Sequence, residues 1–364
     1  MDYKEQYEQE FKSELEELRK NKPNLMLVGV SGSGKSSLVN SIFGENIAQV
    51  GAGKPVTTQI KKYSSPNSLI NIFDTMGYEV RNENESTNQF DREVFSEIEK
   101  RKLLPLAEHI HIIWYCIPIT NHRIYDYDIS NLQKLSTSNI PLFIAFTKCD
   151  EDSETPDGKG EIAEKYKDRL QENGISRAQI FETATSGETT FDLNRLIEVS
   201  ADSLEDKNLR KSFVHAQLHN LSLKKEEAAT VIHTAAATAG AAAVIPIPTA
   251  DAPIIISIQV GMALKLANIY GFGVIGESAT ALLKSQIISL AGRQVAASLT
   301  KFIPILGTLI NTAVAASFTE GLGWGLVTLY ENVLEEYLKT GKEPQWTKIF
   351  SSDILINFLK DKFK

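Results

Sequence analysis

The stretch Leu25–Gly44, LMLVGVSGSGKSSLVNSIFG, constrains this chain more than any other. Four apolar residues lead into a glycine-rich turn, then Lys35 and Ser36, then apolar positions at helical spacing. Gly29 to Ser36 spell GxxxxGK[ST] between a predicted strand and a predicted helix. Glycines there let backbone N–H groups turn inward around a phosphate, and the following helix adds its positive N-terminal end. Lys35 is expected to reach the β- and γ-phosphates of a nucleotide, and the Ser36 hydroxyl to bind Mg²⁺. Gly29, Ser31, Gly32, Ser33, Gly34, Lys35, Ser36 and Ser37 are the expected phosphate-contacting set.

A phosphate loop does not choose between bases; a second stretch does. FTKCD, Phe146–Asp150, closes an apolar run. A carboxylate at Asp150 can accept both the N1–H and the 2-amino group of guanine. Adenine offers neither, and a site built on such bonds rejects the analogue by roughly 10⁴-fold or more. The Lys148 stem is expected on the face of the base, beside Thr147. NIFDTMG, Asn71–Gly77, ends a strand with DxxG: Asp74 would hold Mg²⁺ through water, and the Gly77 N–H would contact the γ-phosphate. KPVTTQI, Lys54–Ile60, supplies the switch threonine, a third expected Mg²⁺ ligand: Thr58 by its Pro-x-x-Thr spacing, with Thr57 second. Such segments are ordered by the γ-phosphate and released after hydrolysis. ETATSGETTFDLNRLI, from Glu182, reads as a strand end, a glycine turn and a helix, where Ala184 and Thr185 could offer N–H groups to the guanine oxygen. The expected bound groups are GTP or GDP and Mg²⁺. The expected catalytic set is Lys35, Thr58, Gly77 and Glu79.

The 364 residues suffice for two domains. The net charge of −8 is uneven: 12 Lys/Arg face 11 Asp/Glu from Ser212 onward, leaving −9 for the first 211 residues. An acidic front half argues against a general nucleic-acid binder. The two cysteines, Cys116 and Cys149, fall in apolar runs that read as strands, so no disulfide framework or CxxC metal site is expected, and a reducing, cytoplasmic compartment fits. The opening MDYKEQYEQEFKSELEELRK is too acidic for a signal peptide; Tyr3, Tyr7, Phe11, Leu15 and Leu18 mark one face of an amphipathic helix over 1–22.

From 23 to 211 apolar runs alternate with helical stretches. Strands are predicted at Leu25–Val28, Ile60–Ser64, Leu69–Phe73, Ile110–Ile117, Leu142–Thr147 and Gln179–Thr183, with SSPNS as a hairpin turn between the second and third. Alternation of this kind implies an α/β domain with a mostly parallel sheet covered on both faces. After Ser212 strand signals vanish, and a C-terminal α-helical domain is expected over 212–364. IPIPTADAP, Ile245–Pro253, breaks its first apolar block into two helices, with Asp251 as an N-cap or turn residue, and YGFG ends the second. Small residues at four-residue spacing, Ala235, Ala239 and Ala243 and then Gly321 and Gly325, permit close helix packing. A soluble bundle and a membrane hairpin both fit that pattern. His233 reads as a packed or capping residue, and Trp324 as core.

These motifs in this order resemble a TRAFAC-class G domain of the Era/septin-like kind, with DTMG for DTPG or DTAG and TKCD for NKxD, Thr147 standing where Asn is more usual. HIHIIWYCIPITNHRIYDYD, His109–Asp128, resembles the strand whose loop, in septin-like GTPases, can face a partner across the nucleotide. That resemblance implies contacts in trans for His122 and Arg123, and a homodimer across the nucleotide face. Tyr78 follows DxxG where Ras-like proteins place the water-orienting glutamine. Slow intrinsic turnover is therefore expected, with help from Glu79 or from an arginine such as Arg81, Arg92 or Arg123.

The Ile-Pro-x-Pro-x-Ala-Asp run with Gln259, Met262, Tyr270 and Gly271 resembles the YcjF-like domain of unknown function, and the layout is similar to that of immunity-related GTPases. The resemblance implies a GTPase switch whose helical domain associates with a membrane surface or a partner. A soluble Era-like assembly factor and a GTP-binding scaffold with negligible hydrolysis are the alternatives.

Overall fold

The computed structural model describes residues 3–44, 54–55, 60–64, 68–75, 90–152, 160–185, 191–243, 251–271, 312–340 and 342. Packing divides the chain into two units, Leu18–Asn220 and Met1–Glu17 with Leu221–Lys364. The division falls inside the first helix, α1 (Tyr3–Lys20).

The Leu18–Asn220 unit is built on a seven-stranded sheet. Its strands are β1 (Asn24–Val28), β2 (Lys54–Pro55), β3 (Ile60–Tyr63), β4 (Asn71–Thr75), β5 (Ile112–Pro118), β6 (Leu142–Thr147) and β7 (Ile180–Glu182), in the order β2-β3-β4-β1-β5-β6-β7. β4, β1, β5, β6 and β7 run parallel, and β3 joins β4 antiparallel as the expected hairpin. β2 is a two-residue strand that the sequence did not announce; its proline is tolerated because it lies at the sheet's edge. β4 and β5 start two residues later than predicted and reach Thr75 and Pro118.

Asn24 explains that shift. Its Nδ2 donates to the carbonyls of Ala107 (2.9 Å) and His109 (2.5 Å), and its Oδ1 accepts from Asn71 Nδ2 at 2.8 Å. Its own N–H donates to His111 Nδ1 at 2.9 Å. One buried side chain therefore sets where β1, β4 and β5 begin. Each of the two faces is apolar, as strands covered on both sides require. Met26, Val28, Phe73, Ile113, Tyr115, Ile117 and Phe146 share one core cluster. On the other face Phe43 stacks on Trp114 (6.2 Å) and meets Phe213 edge-on (5.7 Å), while Trp114 Nε1 donates to Ser200 Oγ at 3.0 Å.

The helices of this unit are α2 (Lys35–Phe43), α3 (Ser96–Arg101), α4 (Asp126–Ser136), α5 (Glu161–Glu172), α6 (Leu193–Asp202) and α7 (Lys207–Ala216). Cys116 lies in β5 as expected; Cys149 lies instead in the 3₁₀ turn Cys149–Glu151 just past β6, and both are buried free thiols.

In the other unit α8 (Leu221–Ala242), α9 (Asp251–Ile269) and α10 (Thr312–Thr340) pack together. α9 opens at Asp251 with Pro253 in its first turn, where a missing N–H costs nothing. It closes on Gly271, whose φ of 85° is the left-handed stop that YGFG predicts. Ala239 is fully buried, and helices approach closely at two further glycines. A Cβ on Gly323 would stand 2.7 Å from Ile232 Cγ1, and one on Gly240 would stand 3.3 Å from Ala316 and Thr312. Two buried polar side chains here have partners: Gln259 Nε2 donates to Thr319 Oγ1 at 3.1 Å, and Lys224 Nζ donates to the Ile269 carbonyl at 2.6 Å. Burial pulls the Lys224 pKa down to about 7. His233 is 60 % exposed, beside Glu320 (3.3 Å) and edge-on to a half-buried Trp324. Among the described residues no helix is long and apolar enough to cross a membrane. Residues 244–250, with Ile245, Pro246 and Pro248, lie outside them.

His111 gives the sheet a pH dependence. Its Nδ1 accepts from Asn24, so Nε2 carries the proton and donates to the Leu106 carbonyl at 3.1 Å. Burial holds its pKa below 6.5 despite the Leu106 bond. The unfolded chain therefore takes this proton first, and stability present above about pH 6.5 is lost as pH falls through the folded value. His111→Gln should show a smaller drop in thermal midpoint than wild type between about pH 7.5 and about pH 5.5. An equal drop in both proteins would show that His111 is not the group responsible.

Candidate functional site

Parallel strands deliver their following loops to the same end of a sheet. β1 lies between β4 and β5, so the chain leaves it toward one side of the sheet first and the other later. That is a topological switch point, the place where open α/β sheets bind ligands. The loop after β1 is Gly29–Gly34.

This loop is held close to the sheet. Gly29 has φ 147°, and a Cβ there would stand 2.4 Å from the Cys116 carbonyl oxygen, so no side chain fits. Gly32 (φ 76°) and Gly34 (φ 81°) are left-handed, which turns the N–H groups between them toward one point. Gly34 is also the N-cap of α2, where its carbonyl accepts from Leu38 N–H at 2.9 Å. Ser36 and Ser37 are exposed in the first turn of that helix, and Ser31 and Gly32 are exposed on the loop.

Lys35 is buried, and its Nζ donates to the carbonyls of Gly29 (2.9 Å) and Val30 (3.1 Å). Burial lowers its pKa, with Asp74 and Cys116 pulling the other way. Asp74 stands in β4 opposite Leu27 of β1 and Lys61 of β3. Burial raises its pKa, and Lys35 and Lys61 offset part of that rise. The Cys116 thiol below the loop is pushed up to about 12 by burial, so it is no nucleophile.

The orphaned polar atoms of the loop test the fit of a bound group. Asp74 Oδ1 and Ser33 Oγ are buried without a hydrogen-bond partner. Buried polar groups are normally satisfied, and unsatisfied ones point to a missing ion, water or ligand. The Asp74 carboxylate on one side and Ser36, in the first turn of α2, on the other suit a Mg²⁺ that takes its remaining ligands from phosphate and water. The residues present therefore fit a phosphate with Mg²⁺.

The second loop follows β6. Thr147 Oγ1 donates to the Ser33 carbonyl at 2.7 Å, which ties this loop to the phosphate loop. The same side chain packs against Gly34, where an added Cβ would stand 3.2 Å from Thr147 Cβ. Lys148 is left-handed (φ 61°) and half-buried, and Asp150 is half-buried in the turn that follows.

A third loop, after β7, locks onto the second. Thr183 N–H (2.7 Å) and Oγ1 (2.8 Å) both donate to the Phe146 carbonyl, and the Thr183 carbonyl accepts from Cys149 N–H at 3.1 Å. Glu182, at the end of β7, is buried in an ion pair with Lys167. Ala184 is buried and Thr185 exposed directly beyond this latch. Of the residues expected from sequence, Gly29, Ser31, Gly32, Ser33, Gly34, Lys35, Ser36, Ser37, Asp74, Thr147, Lys148, Asp150, Ala184 and Thr185 are thus on loops, strand ends or the first turn of α2 at one end of the sheet. Thr58, Gly77, Tyr78, Glu79 and Arg81 lie outside the described residues, as does Thr57. Sequence reasoning missed Thr183. The signal was its place one residue past the β7 run, but a latch between two loops shows no local pattern.

His122 and Arg123 are exposed after β5, His122 left-handed at φ 52°. The Arg123 guanidinium lies 4.3 Å over the Tyr125 ring, which itself stacks on Tyr127. Arg92 is exposed in the π-helical turn Asp91–Phe95.

Comparison with known proteins agrees with this geometry. Residues 24–148 match the family model MMR_HSR1, described as 50S ribosome-binding GTPase, and residues 205–331 match DUF697, a domain of unknown function. The probable GTP-binding protein EngB of Christiangramia forsetii is 26% identical over 165 residues, which are 45% of this chain and 79% of EngB. Cell division control protein 10 of Candida albicans is 32% identical over 145 residues, 34% of this chain and 41% of that protein. Neuronal-specific septin-3 of Mus musculus is 27% identical over 176 residues, 42% of this chain and 49% of septin-3. The chain thus spans less than half the length of the last two. Residues 24–148 are thus similar to P-loop GTPases of the MMR_HSR1 family, and residues 205–331 to the DUF697 domain.

Proposed function

We propose that this chain is a Mg²⁺-dependent switch that binds GTP and hydrolyses it slowly. In this reading 23–211 form the G domain and 212–364 the helical domain. The helical domain answers to the nucleotide state through a membrane surface or a partner, and the G domains of two copies associate. The observation that carries the nucleotide part is the Thr147–Ser33 hydrogen bond at 2.7 Å. It sets the Asp150 turn beside a loop shaped for phosphate, so one ligand can reach both.

Roles follow from position. The N–H groups of the Gly29–Gly34 loop and the start of α2 hold phosphate. Lys35 exchanges two backbone carbonyls for phosphate oxygens. Ser36 and Asp74 hold Mg²⁺, whose bound form neutralises charge developing on the phosphates. Asp150 reads the guanine edge against the Lys148 stem, with Ala184 and Thr185 at the guanine oxygen. Thr58, Gly77 and Glu79 act at the γ-phosphate. With Tyr78 after DxxG, turnover depends on a group supplied from elsewhere, and Arg123 or Arg92 of a second copy is the candidate donor.

The scaffold reading, GTP bound with negligible hydrolysis, rests on the same Tyr78. The 50S ribosome-binding description of the matched family favours an assembly-factor role. The charge of −9 over the first 211 residues speaks against RNA as the partner. A cytoplasmic protein that meets membranes conditionally fits the reading best.

Asp150→Asn tests the base assignment. An asparagine carbonyl still accepts guanine N1–H, but its NH₂ faces the 2-amino group donor-to-donor. Affinity for GDP should fall by roughly 100-fold or more, and xanthosine diphosphate, with an oxygen at that position, should bind the variant better than GDP does. Unchanged preference for GDP would remove Asp150 from the site. Single-turnover hydrolysis tests the catalytic part. The rate should rise with protein concentration, and Arg123→Ala or Arg92→Ala should flatten that rise. An arginine acting in trans is worth roughly 10³ to 10⁵ in rate. Fast hydrolysis independent of concentration would sink the self-association reading, and no hydrolysis at any concentration would leave the scaffold.

A further inference from the structure

At the opposite end of the sheet from the nucleotide loops, the chain runs Arg101–Ile110, RKLLPLAEHI, between α3 and β5. Among the described residues four large apolar side chains stay exposed, and three are here: Leu103 at 88%, Leu106 at 76% and Leu104 at 41%. Their exposure is not slackness of the loop. Leu103 and Leu104 N–H groups donate to the Lys100 and Arg101 carbonyls (3.2 and 3.0 Å). His109 Nε2 bonds the Leu104 carbonyl at 2.8 Å, His111 Nε2 the Leu106 carbonyl at 3.1 Å, and Asn24 Nδ2 the carbonyls of Ala107 and His109. Arg101 Nη1 donates to the Glu108 carbonyl at 3.0 Å. The carbonyls from Leu104 to His109 all accept hydrogen bonds, so the backbone itself holds Leu104 and Leu106 outward.

Cations surround this tip. Arg101 and Lys62 both lie over the Phe73 ring, at 4.4 and 5.2 Å. Lys22 feels the repulsion of Arg19 and Lys62, and Lys62 feels that of Arg101, so the four share one field in a chain of net −8. Lys100 is 72% exposed and Lys102 33%. The carboxylates present are engaged. Glu97 is buried against Arg101 at 2.9 Å, Glu108 faces Arg101 and Lys62, and Glu99 faces Lys102 at 2.6 Å.

We propose that the Leu103–Leu106 loop docks on an anionic bilayer, its leucines entering the headgroup–acyl boundary while Lys22, Lys62, Lys100 and Lys102 meet lipid phosphates. The tip is convex: leucines 88% and 76% exposed protrude, and a protruding side chain needs a matching pocket in a protein partner but none in a lipid surface. Apolar insertion combined with basic charge is the usual composition of peripheral membrane contacts. The inference deepens the membrane part of the proposed function but places the contact in the G-domain unit. It does not depend on which nucleotide is bound.

The test is co-sedimentation of the full-length protein, loaded with GDP and separately with a non-hydrolysable GTP analogue. Vesicles of phosphatidylcholine with about 30% phosphatidylserine are compared with pure phosphatidylcholine. Wild type should pellet with the anionic vesicles in both nucleotide states and less at high salt. Leu103→Asp/Leu106→Asp should lower vesicle affinity at least about tenfold, and Lys100→Glu/Lys102→Glu should abolish the preference for anionic lipid. Binding of fluorescent GDP, measured on the same samples, should be unchanged, which separates loss of docking from loss of fold or of the nucleotide site. Absence of wild-type pelleting, or pelleting that survives both double substitutions, overturns the proposal. Nucleotide-dependent pelleting that survives them would keep a membrane role for the helical domain while refuting this loop.

Discussion

The hydrogen bond from Thr147 Oγ1 to the Ser33 carbonyl is what makes one site of this domain. Parallel strands carry their loops to a common end, but they do not fix the loops to each other. The bond joins the loop after β1 to the loop after β6, and the Thr183 latch then joins the loop after β7 to both. On the other side Gly29 lies against the Cys116 carbonyl, so the phosphate loop is clamped between β5 beneath and Thr147 beside it. A base and a phosphate are separated by a sugar; a protein that reads both needs its two reading surfaces held at fixed spacing, and hydrogen bonds between loops supply that better than loop stiffness alone.

The electrostatics of the site follow from the same compaction. Lys35 and Asp74 are both buried enough that desolvation opposes their charged forms, and each partly restores the other's charge. The ammonium is solvated by two carbonyls of its own loop. The helical unit solves a different problem. It is apolar and small-residue rich, and its glycines allow backbones to approach, while each buried polar group noted above finds a carbonyl or hydroxyl.

The phosphate loop, the FTKCD turn and six of the seven strands were legible because their signals are local: a glycine spacing, an apolar run, a carboxylate at a strand end. Boundaries were legible only within two residues at β4 and β5, because Asn24 fixes them through bonds to Asn71, Ala107 and His109, far away in sequence. Thr183 escaped for the same reason. Cys149 was read as strand because Ala145, Phe146 and Thr147 before it are, yet Lys148 turns left-handed and ends β6. In the helical unit small residues at four-residue spacing announced close packing, and Ala239 is fully buried; the close approaches at Gly240 and Gly323, which depend on where helices cross, carry no mark of their own in the sequence.

Thr147 and Gly34 also have a shared fate. The threonine bonds the phosphate loop with its hydroxyl and fills the space over Gly34 with its carbon atoms, so the room left by the missing side chain at 34 is the room Thr147 occupies. A longer residue at 147 has to find new space there, and any side chain at 34 has to displace the threonine as well as adopt a left-handed backbone. Seen as a history of substitutions, the two positions form a single heritable unit: a change at either one alters which changes the other can accept, although 113 positions of sequence separate them (147 − 34).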